Sequence, residues 1–132
     1  MSRLDGFKVF TRNDGGKIFI SVTNYGVAFS KASVEKLNYP EYVHVLFDDF
    51  GNMAISPCER DNEARTFVRN RNNIRAGFVR WNDKKLINYM IKVGGLSIGP
   101  KGIRVQGEYF PDENIVIYNL KDYAQINQNE ED

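Results

Sequence analysis

The segment Arg65–Lys85, RTFVRNRNNIRAGFVRWNDKK, joins two parts of the chain in which the same order of elements is predicted. In the first part, Val27–Pro57, a strand is followed by a short helix and a hairpin. In the second part, Gly77–Tyr118, the helix and the loop after it are longer. Neither unit can bury its apolar surface alone, so the two are expected to pack against each other. The alternative is a chance pattern of the kind that any α+β chain can show.

Two helices are predicted from capping residues and apolar spacing. Ser30 is placed to cap a short helix from Lys31 to about Asn38, because its hydroxyl can accept from a first-turn amide. Asn82 is expected to cap the second helix, and Gly94–Gly95 is expected to end it. The apolar residues of this second helix recur at i, i+3, i+4 and i+7, which indicates one buried stripe. They are Leu86, Tyr89, Met90 and Val93.

The remaining apolar runs are short, rich in β-favouring residues and separated by turn residues, which predicts strands. The fold class expected is α+β: one antiparallel, β-rich domain with two helices over residues 1–124, its halves at about 1–58 and 65–124. The acidic residues 125–132 are expected to form a disordered tail. The predicted strands are Phe7–Phe10, Lys17–Val22, Val27–Phe29, Tyr42–Phe47, Met53–Ser56, Thr66–Val68, Ile74–Trp81, Ile103–Tyr109 and Ile115–Tyr118.

Composition narrows the class of protein and its location. A length of 132 residues with 42% hydrophobic residues suits one globular domain. No apolar run approaches the ~20 residues that a membrane helix needs, and charges near the N-terminus argue against a signal peptide. One cysteine excludes a disulfide within the chain, which favours a reducing compartment. No membrane association and a cytoplasmic location are therefore expected.

Charge is concentrated in Arg65–Lys85, which we call the basic segment. It holds seven basic residues and one acid, Asp83, whereas the whole chain has a net charge of +1. Arginine and lysine neutralise phosphates, and an aromatic ring beside them can stack on an unpaired base. The segment therefore predicts a surface that binds DNA or RNA. The residues expected to make these contacts are Arg65, Arg69, Arg71, Arg75 and Arg80, with Trp81 for stacking.

Two other interpretations of the charge pattern stay open. The basic segment could be a solvated face that pairs with the acids of the preceding connector, Glu59, Asp61 and Glu63. Alternatively, the protein could dock on another protein, for instance as an inhibitor of a host or defence factor. Its working surface would then be the acidic tail and the turns at Asp48–Asp49 and Asp112–Glu113, because carboxylates can occupy a partner's nucleic-acid channel in place of phosphate.

No enzyme, metal or cofactor is predicted. His44 is the only histidine and lies between apolar neighbours in a strand, so we expect it to be structural. Cys58 is the only cysteine, and a nucleophilic thiol needs a base beside it. Catalytic triads and zinc sites need several such groups together, and the sequence gives no sign that they meet.

One part of the chain resembles a known family. Gly26-Val27 entering a strand, a short helix ending at Leu37, the strand Val43–Val45 and the strand Met53–Ile55 before Pro57 resemble the swapped-hairpin unit of AbrB-type transcription factors. The resemblance implies a DNA-binding role. The chain as a whole looks like small proteins of bacterial phages and mobile elements, a resemblance that implies no particular activity and no site residues.

Overall fold

The computed structural model describes residues 16–69 and 79–126. Within these residues, eight strands form one sheet in which all pairings are antiparallel, and two helices complete the fold. The predicted α+β class with an antiparallel, β-rich sheet is therefore confirmed. The elements are β1 (Phe19–Val22), β2 (Val27–Phe29), α1 (Lys31–Lys36), β3 (Tyr42–Phe47), β4 (Asn52–Cys58), β5 (Arg65–Thr66), β6 (Val79–Trp81), α2 (Lys84–Gly94), β7 (Ile103–Phe110) and β8 (Ile115–Gln125).

The strands follow the order β5-β3-β4-β8-β7-β1-β2-β6 across the sheet. The hairpins β3–β4 and β7–β8 lie side by side because β4 pairs with β8, with Met53 opposite Tyr118. On the other side of β7 lies β1, with Ile20 opposite Val105. The last pair, β2 and β6, sets Ala28 opposite Arg80. Strands from distant parts of the chain are thus neighbours, and β5 and β6 end the sheet.

The core lies on one face of this sheet, where alternate residues of most strands are buried. Tyr118 is fully buried there, and its hydroxyl donates to Ser33 Oγ in α1 across 2.7 Å. Burial raises the pKa of the Tyr118 phenol, so the hydroxyl keeps its proton and can donate. The helix α2 covers part of the same core, and its Gly94 lies against the side chain of Leu120 in β8.

The helix ends show which capping predictions hold. Ser30 caps α1 as predicted, with its hydroxyl accepting from a first-turn amide. The cap of α2 is Asp83, whose carboxylate accepts from the Leu86 amide, so the expected cap at Asn82 is wrong by one residue. The helix ends at Gly94, and Gly95 adopts the left-handed conformation with a φ of 64°, which favours glycine.

Two strands run two or more residues beyond their predicted ends. The strand β4 continues through Pro57, where the sequence had ended it. Its neighbour β8 pairs only with Asn52–Ile55, so Pro57 stands where a missing amide is tolerated. The strand β8 runs to Gln125, which was assigned to the tail, and the Gln125 side chain bonds the Ser97 carbonyl and the Gly99 amide.

Several predictions lie outside the described residues. They include the strand Phe7–Phe10, most of the strand that was expected to begin at Ile74, and residues 127–132 of the tail. The strand β1 has β2 on one side and β7 on the other.

Candidate functional site

Of the six residues that the sequence assigns to nucleic-acid contact, four lie in the described residues and two, Arg71 and Arg75, do not. The four are Arg65, Arg69, Arg80 and Trp81. Three of them come from the two ends of the sheet, since Arg65 belongs to β5 and both Arg80 and Trp81 belong to β6. The sheet curves so that these two terminal strands meet through side chains.

Trp81 makes this contact from inside the core. Its side chain is 8% exposed, and its indole N–H donates to the Thr66 carbonyl of β5 across 3.1 Å. The rings of Phe29 and Phe67 meet it edge-on, at centroid distances of 4.9 and 5.9 Å. Because the ring is already packed on both partners, it offers little surface for the predicted stacking on a base. Val79 and Trp81 share the buried face of β6.

Arg65 covers the outer side of the same contact. Its guanidinium lies 4.3 Å from the centroid of the Trp81 ring, and Nη1 donates to Asp83 Oδ2 across 2.8 Å. The Arg65 side chain and then the Leu86 amide hold the pKa of Asp83 below its usual range. The positive charge of Arg65 is therefore paired with the acid that also caps α2, an interaction that joins β5 to α2.

The other described cations of the basic segment are exposed. They are Arg69, Arg80, Lys84 and Lys85. Arg80 Nε donates to Asn82 Oδ1 across 3.1 Å, and Lys84 Nζ donates to the Asn24 carbonyl across 3.2 Å. Both partners are neutral, so the two side chains keep their net charge at the surface.

An exposed aromatic ring, that of Tyr25, lies in a turn that Lys84 contacts. It stands in the turn between β1 and β2, and its side chain is 79% exposed. The turn is held by Thr23, whose hydroxyl accepts from the Tyr25 and Gly26 amides. Gly26 lies directly against the backbone of Trp81, and Lys84 bonds the preceding Asn24, so the turn is fixed to β6 and α2. The sequence could not reveal this, because it depends on β2 pairing with β6.

A second group of polar side chains lies on the outer face of the sheet. His44 Nε2 and Asp61 Oδ2 are 2.7 Å apart, and the ligating atoms of His44, Cys58 and Asp61 all lie within 4.8 Å of one another. Asp61 thus pairs with His44, where the sequence had suggested an arginine of the basic segment. In the part of the chain that the structure describes, no other three His, Cys, Asp or Glu side chains meet in this way. We call these three residues the His44 cluster.

The electrostatics of the His44 cluster argue against a nucleophilic cysteine. Burial and then the Asp61 charge raise the pKa of the Cys58 thiol, whereas reactive cysteines have a lowered pKa. The Glu63 amide, and after it His44, lower the pKa of Asp61 and keep it a carboxylate. The group is suited to binding a cation.

A third surface surrounds the turn between β3 and β4. Phe50 is 75% exposed there and Leu46 is half-exposed, while the ring of Phe47 meets that of the exposed Tyr89 at 4.8 Å. Asp48 forms the turn, as expected for an acid in this setting, because its carboxylate accepts from the Phe50 amide and from the Asn52 amide and side chain.

Comparisons with known proteins add nothing to this geometry: the chain matches no family model, no curated protein and no solved structure. Neither helix in residues 16–69 and 79–126 is long and apolar enough to cross a membrane.

Proposed function

We propose that this protein is a non-enzymatic nucleic-acid-binding module that uses the exposed cations of the basic segment and the ring of Tyr25. The observation that carries the proposal is the position of Tyr25, which is exposed and lies in a turn held to β6 and α2 by the β2–β6 pairing and the Lys84–Asn24 bond. Exposed cations beside an exposed ring are what single-stranded nucleic acids require, because phosphates and bases are contacted together.

The proposal divides the basic segment into two roles. Arg65 and Trp81 hold the two ends of the sheet together, so they support the surface and do not contact the ligand. Arg69, Arg80, Lys84 and Lys85 contact phosphates. Arg71 and Arg75 stay predicted contacts on the evidence of the sequence alone.

Fluorescence anisotropy with labelled single- and double-stranded DNA and RNA, at low and near-physiological salt, tests the charge contacts. The variant Arg80→Ala/Lys84→Ala should weaken binding, and affinity should fall steeply with salt. The matched control is Lys36→Ala/Lys92→Ala, which removes two cations from the last turns of α1 and α2. Absence of binding by the wild type at low salt would overturn the proposal, as would equal losses in both variants.

A second candidate function, docking on another protein, is supported by the turn between β3 and β4. Leu46, Phe50 and Tyr89 are large, apolar and exposed, and Asp48 and Asp49 supply acidic neighbours. Apolar side chains with a polar rim are typical of protein interfaces. Phe50→Ala should abolish capture of such a partner and leave nucleic-acid binding unchanged, whereas Tyr25→Ala should do the opposite.

The division into two halves belongs to this proposal as well. It is supported by the order β2-α1-β3-β4 in one half and β6-α2-β7-β8 in the other. Corresponding strands are neighbours, since β2 pairs with β6 and β4 pairs with β8. The resemblance of the first half to AbrB-type units stays a prediction, and so do the phage or mobile-element origin and the cytoplasmic location.

A further inference from the structure

The only histidine and the only cysteine of the chain lie side by side on the outer face of the sheet. The pairing of β3 with β4 sets His44 opposite Ser56, and Cys58, two residues further along, points to the same face. The loop after β4 then brings Asp61 against His44. Two residue types that each occur once are thus brought together, and both are preferred ligands of transition metals.

We propose that the His44 cluster binds one zinc ion through an imidazole nitrogen, the Cys58 sulfur and an Asp61 carboxylate oxygen. Nitrogen and sulfur donors favour zinc over magnesium and calcium, which prefer oxygen ligands alone. Zinc in proteins is four-coordinate, and sites with three protein ligands carry water in the fourth position. The side chains of His44 and Asp61 are 35% and 49% exposed, so both water and the ion can reach the cluster.

The distances require only side-chain rotation. With Zn–N, Zn–O and Zn–S bonds of about 2.0–2.3 Å, a tetrahedral ion holds its ligand atoms about 3.3–3.7 Å apart. The His44–Asp61 distance of 2.7 Å must therefore widen, and the longest separation, within 4.8 Å, must shorten. His44 and Cys58 stand on paired strands, which fixes their backbones.

The surroundings of the cluster also favour a cation. The Oδ1 atom of Asp61 accepts from the Glu63 amide across 2.8 Å, which leaves Oδ2 directed at His44. Hydrogen bonds of this kind orient ligating carboxylates in metal sites. Glu59 and Glu63 are exposed nearby and add negative charge. When zinc binds, the Cys58 thiol gives its proton to water and the ion neutralises the thiolate.

A bound ion would tie the loop after β4 to the sheet. Cys58 ends β4 and Asp61 lies in the loop between β4 and β5, while His44 lies in β3. A ligand that binds only the folded state stabilises that state by mass action. Zinc should therefore raise the melting temperature of the wild type, and the Cys58→Ser variant should not respond.

Cobalt titration of the full-length protein, without a histidine tag, tests the proposal directly. Co²⁺ substitutes for zinc, and thiolate coordination gives a sulfur-to-cobalt charge-transfer absorption. Because Cys58 is the only cysteine, this band reports on one residue. We expect one equivalent of Co²⁺ to bind with the band present, and Zn²⁺ to displace it.

Three variants and a control assign the ligands. Cys58→Ser should abolish the band, and His44→Gln and Asp61→Asn should each weaken binding by more than the ~10–100-fold that loss of an outer partner costs. Glu59→Gln is the matched control, since it removes a neighbouring carboxylate that lies outside the cluster. It should change affinity less than about twofold.

Several results would overturn the proposal. No charge-transfer band in the wild type would mean that the thiol is not a ligand and that His44 and Asp61 form a simple hydrogen bond. Equal losses in Asp61→Asn and Glu59→Gln would mean that metal is held by diffuse negative charge. A second measurement needs no variant: zinc should slow the reaction of Cys58 with a thiol reagent at least about tenfold, and an unchanged rate would exclude its coordination.

Discussion

The indole N–H of Trp81 donates to the main-chain carbonyl of Thr66, and this bond of 3.1 Å joins the two terminal strands of the sheet. The strands themselves do not pair; each has another neighbour, β3 for β5 and β2 for β6. Closure of the curved sheet therefore rests on side chains of the basic segment, above all on Trp81 and on the Arg65–Asp83 pair.

Trp81→Phe should lower the free energy of unfolding by about 1 kcal/mol, because the ring is largely kept while one hydrogen bond is lost. Urea denaturation monitored by far-UV circular dichroism measures this change in the free energy of unfolding. Tryptophan fluorescence cannot be used, because Trp81 is the only tryptophan and the variant lacks it. Trp81→Ala, which also loses the packing, should cost about 3–5 kcal/mol. A phenylalanine variant as stable as the wild type would show that the bond to Thr66 contributes nothing.

Arg65→Met should make stability less sensitive to acid. The pKa of Asp83 is lowered in the folded protein, so on acidification the unfolded chain takes up this proton first, near pH ~3.9. Stability that is present above this pH is then lost as the pH falls through the folded pKa. The difference between wild type and variant, measured by urea denaturation from pH 7 to pH 2, should shrink below about pH 4.

The control for this effect is Arg69→Met, which removes an exposed cation from the residue that precedes the undescribed part of the segment. The difference in free energy of unfolding between Arg69→Met and the wild type should stay constant across the acid range. A constant difference between Arg65→Met and wild type at all pH values would show that Arg65 acts only through its contact with the Trp81 ring.

Tyr118→Phe should change the response to alkali. Burial raises the pKa of the phenol, so in the unfolded chain Tyr118 loses its proton near pH ~10 while the folded protein keeps it. The stability of the wild type therefore falls as the pH rises above about 10. Tyr118→Phe should lose less stability over the same pH range, because it lacks this phenol. At neutral pH the variant should be about 1 kcal/mol less stable, because the bond to Ser33 is gone.

Denaturation curves at pH 7 and above pH 10 measure both effects of the Tyr118 change. Tyr25→Phe serves as the comparison, since the Tyr25 side chain is exposed and that of Tyr118 is buried. If the two variants respond to alkali alike, the buried phenol does not govern the alkaline limit.

The proposed nucleic-acid surface makes a quantitative prediction about salt. Arg80→Ala should weaken binding for all sequences and lower the slope of log affinity against log salt by about 1. Tyr25→Ala should leave this slope unchanged while weakening single-strand binding by about 1–3 kcal/mol, the contribution of one stacked base. Anisotropy across a salt series separates the two. If the slope changes in Tyr25→Ala and not in Arg80→Ala, the roles proposed for these two residues are wrong.

Local features of this chain followed from local sequence. Ser30 and Gly95 cap their helices because hydroxyl geometry and the left-handed conformation act within one turn. Val79 and Trp81 share a face of β6 because side chains alternate along a strand, but alternation alone does not say which face is buried. That choice depended on β5 and β6 meeting, which involves residues far apart in the sequence.

The candidate sites needed this long-range information even more. Tyr25 gains its position only through the pairing of β2 with β6, which the sequence did not predict. His44 and Cys58 were each set aside for want of a partner, although the predicted hairpin put His44 in one strand and Cys58 just beyond the end of the next. A search across the hairpin register for side chains on the same face would have found this pair.

The terminal strands also bear on how the protein avoids aggregation. An unpaired strand edge offers amides and carbonyls to any extended chain, and long flat edges grow into fibrils. Over the residues that the structure describes, β5 has two residues and β6 has three, and one carbonyl of β5 is already taken by Trp81. These stretches offer few bonds to template another molecule, so we expect the closure of the sheet also to limit aggregation at them.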